Sequence, residues 1–177
     1  MNQQPTFSLY YGEYLSPIGH MGLWCTDSAL LRLAFTDHNS QTGGYAWSQT
    51  ATPTKRHPLL IRCQHQLHEY FGGQRTSFSL PLQFIGTEFQ QQTWRALQRI
   101  RYGAIYSYTQ QASQMDCPTA VRAVGTANAK NPLSIVVPCH RVISKSRKLS
   151  GYAGGIDRKS WLLHHEFNGI KTAVQRT

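Results

Sequence analysis

Cysteines are few and scattered. The four, Cys25, Cys63, Cys117 and Cys139, form no CxxC pair in a chain of 177 residues, which argues against a disulfide framework or a zinc finger and for free thiols in a reducing compartment. No apolar run approaches the ~18 residues of a membrane span. Residues Met1 to Phe7 hold neither a basic nor an apolar signal region, so a cytoplasmic protein with no membrane contact is expected. His20, Cys25, His57, His65 and His68 have no ligand spacing, and no metal or cofactor is expected. Gly151 to Gly155 is too short for a dinucleotide fingerprint and lacks a following acidic partner, which excludes a Rossmann reading.

Acidic residues are the other shortage. Eight Asp and Glu face eighteen Lys and Arg, a net charge of +10, and the excess is uneven. Five basic residues meet four acidic ones through Gly86; thirteen meet four from Thr87 onward. The second half therefore faces a polyanion, nucleic acid first, although a charge excess also serves solubility.

What is present reads as two units, 1–86 and 87–177. Thr6 to Tyr11, Ile18 to Cys25 and Leu30 to Phe35 read as a strand meander broken at Ser16-Pro17 and Thr26 to Ser28. Asp37 to Thr54 reads as a surface loop. Leu60, Cys63, Leu67, Tyr70 and Phe71 recur at helical spacing from Pro58 to Phe71, closed by Gly72-Gly73. Thr76 to Leu82 alternates like a strand. Beyond Ile85-Gly86, Thr87 to Gln90 has capping-box form and opens a helix closed by Tyr102-Gly103. Ser107 to Gln110 repeats the form, Asp116-Cys117-Pro118 is a turn, and Pro118 suits the start of the next helix. That pair reads as a helix-turn-helix with Ala120, Val121, Val124 and Ala127 inward and Arg122, Gly125, Thr126 and Ala129 on another face; an ordinary helical hairpin with a solvated arginine has the same pattern. Asp157 caps a last helix, Arg158 to Phe167, with Trp161 and Leu162 inward and Asn168-Gly169 as the stop. Glu166, near its end, is unfavourable with the helix dipole and calls for either solvent, the cheaper explanation, or a compensating partner such as a histidine.

Asn131 to Val142, NPLSIVVPCHRV, holds the candidate for the chemistry, the Cys139 thiol, with a buried structural cysteine as the alternative. The apolar run Leu133 to Val137 meets Pro138, then Cys139, His140 and Arg141. Positive charge beside a thiol raises the fraction of thiolate, the nucleophilic form. In an extended strand Cys139 and His140 would point to opposite faces, so the motif needs a turn or helical conformation. A basic loop, Lys145 to Lys148, follows and suits phosphates.

These blocks, GTEFQQQTWRAL, YGAIYSY, AVRAVGTANAKNP, IVVPCHRVIS, GYAGG and WLLHHE in order from about Gly86 to Gly169, resemble the O6-alkylguanine-DNA alkyltransferases. The resemblance implies an α+β fold: a small N-terminal α/β domain with an antiparallel sheet and a mainly helical, winged-helix-like C-terminal domain with the helix-turn-helix. It implies that Cys139 takes the alkyl group from O6-alkylguanine in double-stranded DNA and keeps it as a thioether, a stoichiometric reaction without cofactor; the sequence leaves oligomeric state open, with a monomer as the simplest expectation. O4-alkylthymine is a second substrate the resemblance leaves open. His140 would be the base through a water, Glu166 its orienting partner, and Asn131 the residue holding the turn. Arg122, with Ala123 beside it, would fill the gap of the extruded nucleotide. Tyr108 would press on the neighbouring phosphate and contact the base, and Val142, Tyr152, Ala153 and Gly154 would line its pocket. Asp116-Cys117 stands where Gly-Arg is common in relatives, and Ser144 where glycine is frequent. A non-catalytic DNA binder, a helix-turn-helix regulator and a cysteine hydrolase are the competing readings.

Overall fold

The computed structural model describes residues 8–36, 50–146, 149 and 151–174. Strands β1 (Tyr10–Ser16), β2 (Gly19–Cys25) and β3 (Leu30–Phe35) form an antiparallel meander, and β4 (Thr52–Pro53) joins the free side of β1 in parallel, giving the order β3-β2-β1-β4. Two expectations shift here. The first strand runs later than its apolar run, because its inward positions include Gly12 and Ser16, which carry no hydrophobic signal. A Cβ on Gly12 would sit 3.1 Å from a Leu60 methyl, so the glycine lies in close packing beneath helix α1 (Pro58–Phe71). The expected loop 37–54 ends in β4, where Pro53 is tolerated on an edge strand; positions 37–49, Thr6 and Phe7, and Arg147 and Lys148 of the basic loop lie outside the described residues.

Helix α1 forms where its spacing predicts and buries Leu59, Leu60, Cys63, Leu67 and Tyr70 against the sheet. Thr76 to Leu82 alternates but forms no strand. It makes one isolated bridge, Leu30 to Leu82, because Pro81 has no N–H for the ladder. Edge strand β3 then reaches further: Leu33 N–H donates to Pro132 O and Ser134 N–H to Leu33 O, both 2.9 Å. The sheet edge is thus capped by the segment that leads to Cys139.

In the second half, helices α2 (Glu88–Leu97) and α3 (Tyr108–Gln114) both start at complete capping boxes, on Thr87 and Ser107. Helix α2 ends at Leu97, before Tyr102-Gly103. Helix α4 (Val121–Ala129) starts beyond Pro118, which lies in the connecting turn; Asp116 there has φ 57°, a left-handed conformation that glycine adopts freely and Asp tolerates. Two short strands, β5 (Tyr106–Ser107) and β6 (Val142–Ile143), pair in parallel beside α3. Helix α5 (Ile156–Val174) runs through Asn168-Gly169 instead of stopping there. Gly169 is a close-approach position, since a Cβ would lie 2.6 Å from the Tyr102 hydroxyl. Asp157 lies in the first turn of this helix, and Trp161 is 37% exposed, stacked on His165, while Lys159, Leu162 and Glu166 face inward. One apolar core joins both halves, from Met21 and Leu60 to Trp94 and Leu162. No helix among the described residues is long and apolar enough to cross a membrane.

Candidate active site

The run Leu133 to Val137 is a turn, not a strand. Val136 N–H bonds to Ser134 O, closing a tight turn around Ile135, whose φ of 70° is strained for a β-branched residue. Cys139 N–H bonds to Val137 O across Pro138, at φ −85° and ψ 64°, the inverse γ-turn that proline favours. Cys139 to Arg141 then form one 3-10 turn, the helical conformation the motif needs. Asn131 ties this together. Its Oδ1 accepts from Leu133 N–H at 3.0 Å, and its Nδ2 donates to Val137 O at 2.7 Å and to Cys139 Sγ at 3.1 Å. The two backbone bonds fix which end of the amide faces the sulfur.

Glu166 collects donors from four places. Its carboxylate accepts from Tyr70 Oη (2.8 Å), His140 Nε2 (2.8 Å), Arg141 Nε and Nη2 (both 2.9 Å at their shortest) and Gly103 N–H (2.9 Å). Its partner is not owed to a helix terminus, since Glu166 lies inside α5. Burial opposes the charge of Glu166, but hydrogen bonds from His140 and Arg141, with the charge of the Arg141 guanidinium, outweigh it and hold the carboxyl well below the usual carboxylate range. Arg141 alone balances that charge in the resting site, because burial pushes His140 down and favours the neutral ring despite Glu166. An ionised carboxylate only accepts, so Nε2 carries the ring proton and Nδ1 is the basic nitrogen. That Nδ1 is buried without a hydrogen-bond partner among the described residues.

The charges acting on Cys139 differ from those its neighbours in sequence suggest. His140 is neutral and Arg141 is committed to Glu166, so neither supplies a free positive charge. Burial pushes the thiol up, while the Asn131 amide and the Lys159 ammonium pull it back. Lys159, fully buried, donates from Nζ to Val142 O at 2.7 Å and is itself pushed down to about 8 by burial. Its place on the inward stripe with Leu162 and Glu166 was its signal in the sequence. Tyr70 and Gly103 gave none.

The remaining candidates surround this centre. Tyr152 is buried, edge-on to His140 with ring centroids 6.5 Å apart. Tyr108 is half-buried at the start of α3, close to Gly125 and Gly151. Arg122, Ala123, Thr126 and Ala129 are exposed on α4. Ala153 is half-buried, whereas Gly154 is wedged in packing: a Cβ there would meet Tyr152 at 2.7 Å and Phe35 at 2.8 Å.

Two family models cover most of the chain: "6-O-methylguanine DNA methyltransferase, ribonuclease-like domain" over residues 9–84 and "6-O-methylguanine DNA methyltransferase, DNA binding domain" over 88–168. The chain is 45% identical over 148 residues to the methylated-DNA–protein-cysteine methyltransferase of Mycolicibacterium paratuberculosis, covering 84% of this chain and 86% of that one. It is 44% identical over 160 residues to the constitutive enzyme of Bacillus subtilis, covering 89% and 94%. Its fold is similar to the crystal structure of Mycobacterium tuberculosis O6-methylguanine methyltransferase, with TM-score 0.82, 41% identity, and 90% and 93% of the two chains covered. The crystal structure of Mycobacterium tuberculosis OGT in complex with DNA matches with TM-score 0.79 and 42% identity over 90% and 94%.

Proposed function

The chain belongs to the 6-O-methylguanine DNA methyltransferase family, and from that premise we propose that Cys139 is the sulfur that takes the alkyl group and that His140, Glu166 and Asn131 prepare it. The activity is that of a methylated-DNA–protein-cysteine methyltransferase, DNA is its partner, and the outcome is repair of DNA by alkyl transfer to a cysteine. The observation that carries the assignment to Cys139 is its sulfur accepting a hydrogen bond from Asn131, next in the chain to a histidine whose basic nitrogen has no hydrogen-bond partner among the described residues.

The thiol proton passes to His140 Nδ1 through a water, and the imidazolium that forms has the Glu166 carboxylate 2.8 Å away. Sulfur bonds to the alkyl carbon as the carbon–O6 bond breaks. The electron pair leaves with the guanine, which recovers one proton, so the products are a thioether and normal guanine. No second nucleophile cleaves a thioether, hence each chain reacts once.

Cys139 is only 6% exposed, so a base inside a duplex cannot reach it and must be extruded, at a cost of a few kcal/mol. Arg122 on α4 is the side chain we assign to the gap, with Ala123 allowing close approach of the helix. Tyr108 meets the phosphate and the base, and Val142, Tyr152, Ala153 and Gly154 shape the pocket. The Val142 carbonyl works there with Lys159 already bonded to it. Residues 87–177 thus hold DNA and chemistry, and residues 1–86 brace them. The free thiols of all four cysteines fit a reducing cytoplasm, and one chain contains every group the reaction uses, so the protein acts as a monomer.

Arg122→Ala tests the extrusion role. Single-turnover repair of an O6-methylguanine duplex should slow by about tenfold or more, while reaction with free O6-benzylguanine stays unchanged. Equal losses on both substrates would overturn the role.

A further inference from the structure

Glu166 Oε1 is crowded. It accepts from Tyr70 Oη at 2.8 Å, His140 Nε2 at 2.8 Å and Arg141 Nη2 at 2.9 Å, with Arg141 Nε at 3.2 Å as well. A carboxylate offers about four lone-pair sites over both oxygens, and Oε2 is engaged by Gly103 N–H and Arg141 Nε, each at 2.9 Å. Tyr70 and His140 therefore compete for one oxygen. Tyr70 comes from α1, in the half of the chain that holds none of the reacting groups.

The hydroxyl is not needed for packing. The Tyr70 ring sits among Phe71, Phe78, Tyr102 and His165, with centroids 5.3 to 6.0 Å away, and phenylalanine would fill that space equally. A buried hydroxyl without a partner is costly. Here it is fully buried and donates to the one carboxylate that orients the proposed base.

We propose that Tyr70 is a positioning residue of the transfer reaction, holding part of the Glu166 charge away from His140 and so setting how readily that ring takes and releases the thiol proton. The inference rests on His140 being the base. Other groups act on the ring as well: Arg141 beside it and Lys159 on α5 disfavour its proton, Glu166 favours it, and Tyr152 faces it edge-on. Tyr102 lies beside Tyr70 and within the field of Glu166. Of the two tyrosines on α1 and before β5, Tyr70 is the one bonded to Oε1.

The test is Tyr70→Phe in the full chain, with Leu67→Ala, a buried residue of the same helix, as a control that costs stability without touching the carboxylate. Two quantities are read: the His140 Nε2–H proton resonance at pH 7 in protein labelled with ¹⁵N-histidine, and the pH dependence of single-turnover reaction with O6-benzylguanine. Without its competitor, the Nε2–H···Oε1 bond should strengthen and the proton resonance move downfield in Tyr70→Phe. The acid limb of the rate should shift to higher pH by about half a unit, because a carboxylate freer to face the ring favours imidazolium. Leu67→Ala should move neither. An unshifted resonance in Tyr70→Phe, or an equal shift in Leu67→Ala, overturns the proposal. A shifted resonance with an unmoved acid limb overturns it too, and in that case the fault lies in the assignment of His140 as base, not in the coupling of Tyr70 to Glu166.

Discussion

The two halves of the molecule each contain a buried thiol beside a histidine, and the pairs work in opposite senses. In the N-terminal half Cys25 lies 3.4 Å from His57 Nδ1. That nitrogen also accepts the N–H of Leu59 at 3.3 Å as the N-cap of α1, so it is an acceptor and the thiol must be the donor. Burial, with the charge of Asp27, pushes Cys25 up to about 12. In the C-terminal half the sulfur of Cys139 is itself an acceptor, from Asn131 at 3.1 Å, with Lys159 nearby to favour its charge. The histidine next to it in the chain has its proton directed to Glu166 and its other nitrogen without a hydrogen-bond partner among the described residues. A cysteine near a histidine is therefore not a reactive pair by distance alone. The direction of the hydrogen bond at sulfur, and what occupies the basic nitrogen, separate the helix-capping arrangement beside Cys25 from the arrangement proposed to make Cys139 a nucleophile.

The largest contrast should come from the two carboxylates. Glu166→Ala leaves Arg141 buried without its partner, which should cost about 3–5 kcal/mol by urea denaturation, and, with His140 as the proposed base, removing the carboxylate that holds its Nε2–H should slow single-turnover transfer by about 10² or more. Asp27, whose side chain is 74% exposed and 3.6 Å from His57, should give under about 1 kcal/mol on Asp27→Ala and no change in rate. Similar losses at both positions would break the contrast.

A smaller effect sharpens it. Cys25→Ala should leave the transfer rate unchanged and flatten the alkaline limb of the stability curve. The folded thiol holds its proton up to about 12 against an ordinary value of 9.0, so the unfolded state gives up that proton first. The stability from this thiol is complete below pH 9 and is lost as pH rises toward 12. Retention of the wild-type slope in Cys25→Ala would show that Cys25 is not a protonated thiol held against the capping ring of His57.

Much of this was legible in the sequence because it depends on local chemistry. The capping boxes at Thr87 and Ser107 and the apolar stripe of α1 are short-range signals, and the helices start where those signals stand. Strand β1 was displaced because its inward positions include Gly12, packed closely under Leu60, and Ser16, neither of which carries a hydrophobic signal. Helix α5 runs past Gly169 because that glycine makes room for Tyr102, a contact invisible along the chain. In the site, PCHR and the preceding Asn131 were readable as a motif, and the structure brings Asn131, Cys139, His140 and Glu166 together. The electrostatics were not. Arg141 is consumed by Glu166, and the hydroxyl that shares its oxygen comes from Tyr70, 96 positions away.

Peptide mass mapping after incubation with an excess of O6-methylguanine duplex tests the difference between the two thiols most directly. One methyl group on Cys139, none on Cys25, and one lesion repaired per chain is the predicted result. A methyl group on Cys25, or lesions repaired in multiples of the protein with Cys139 unmodified, would contradict it.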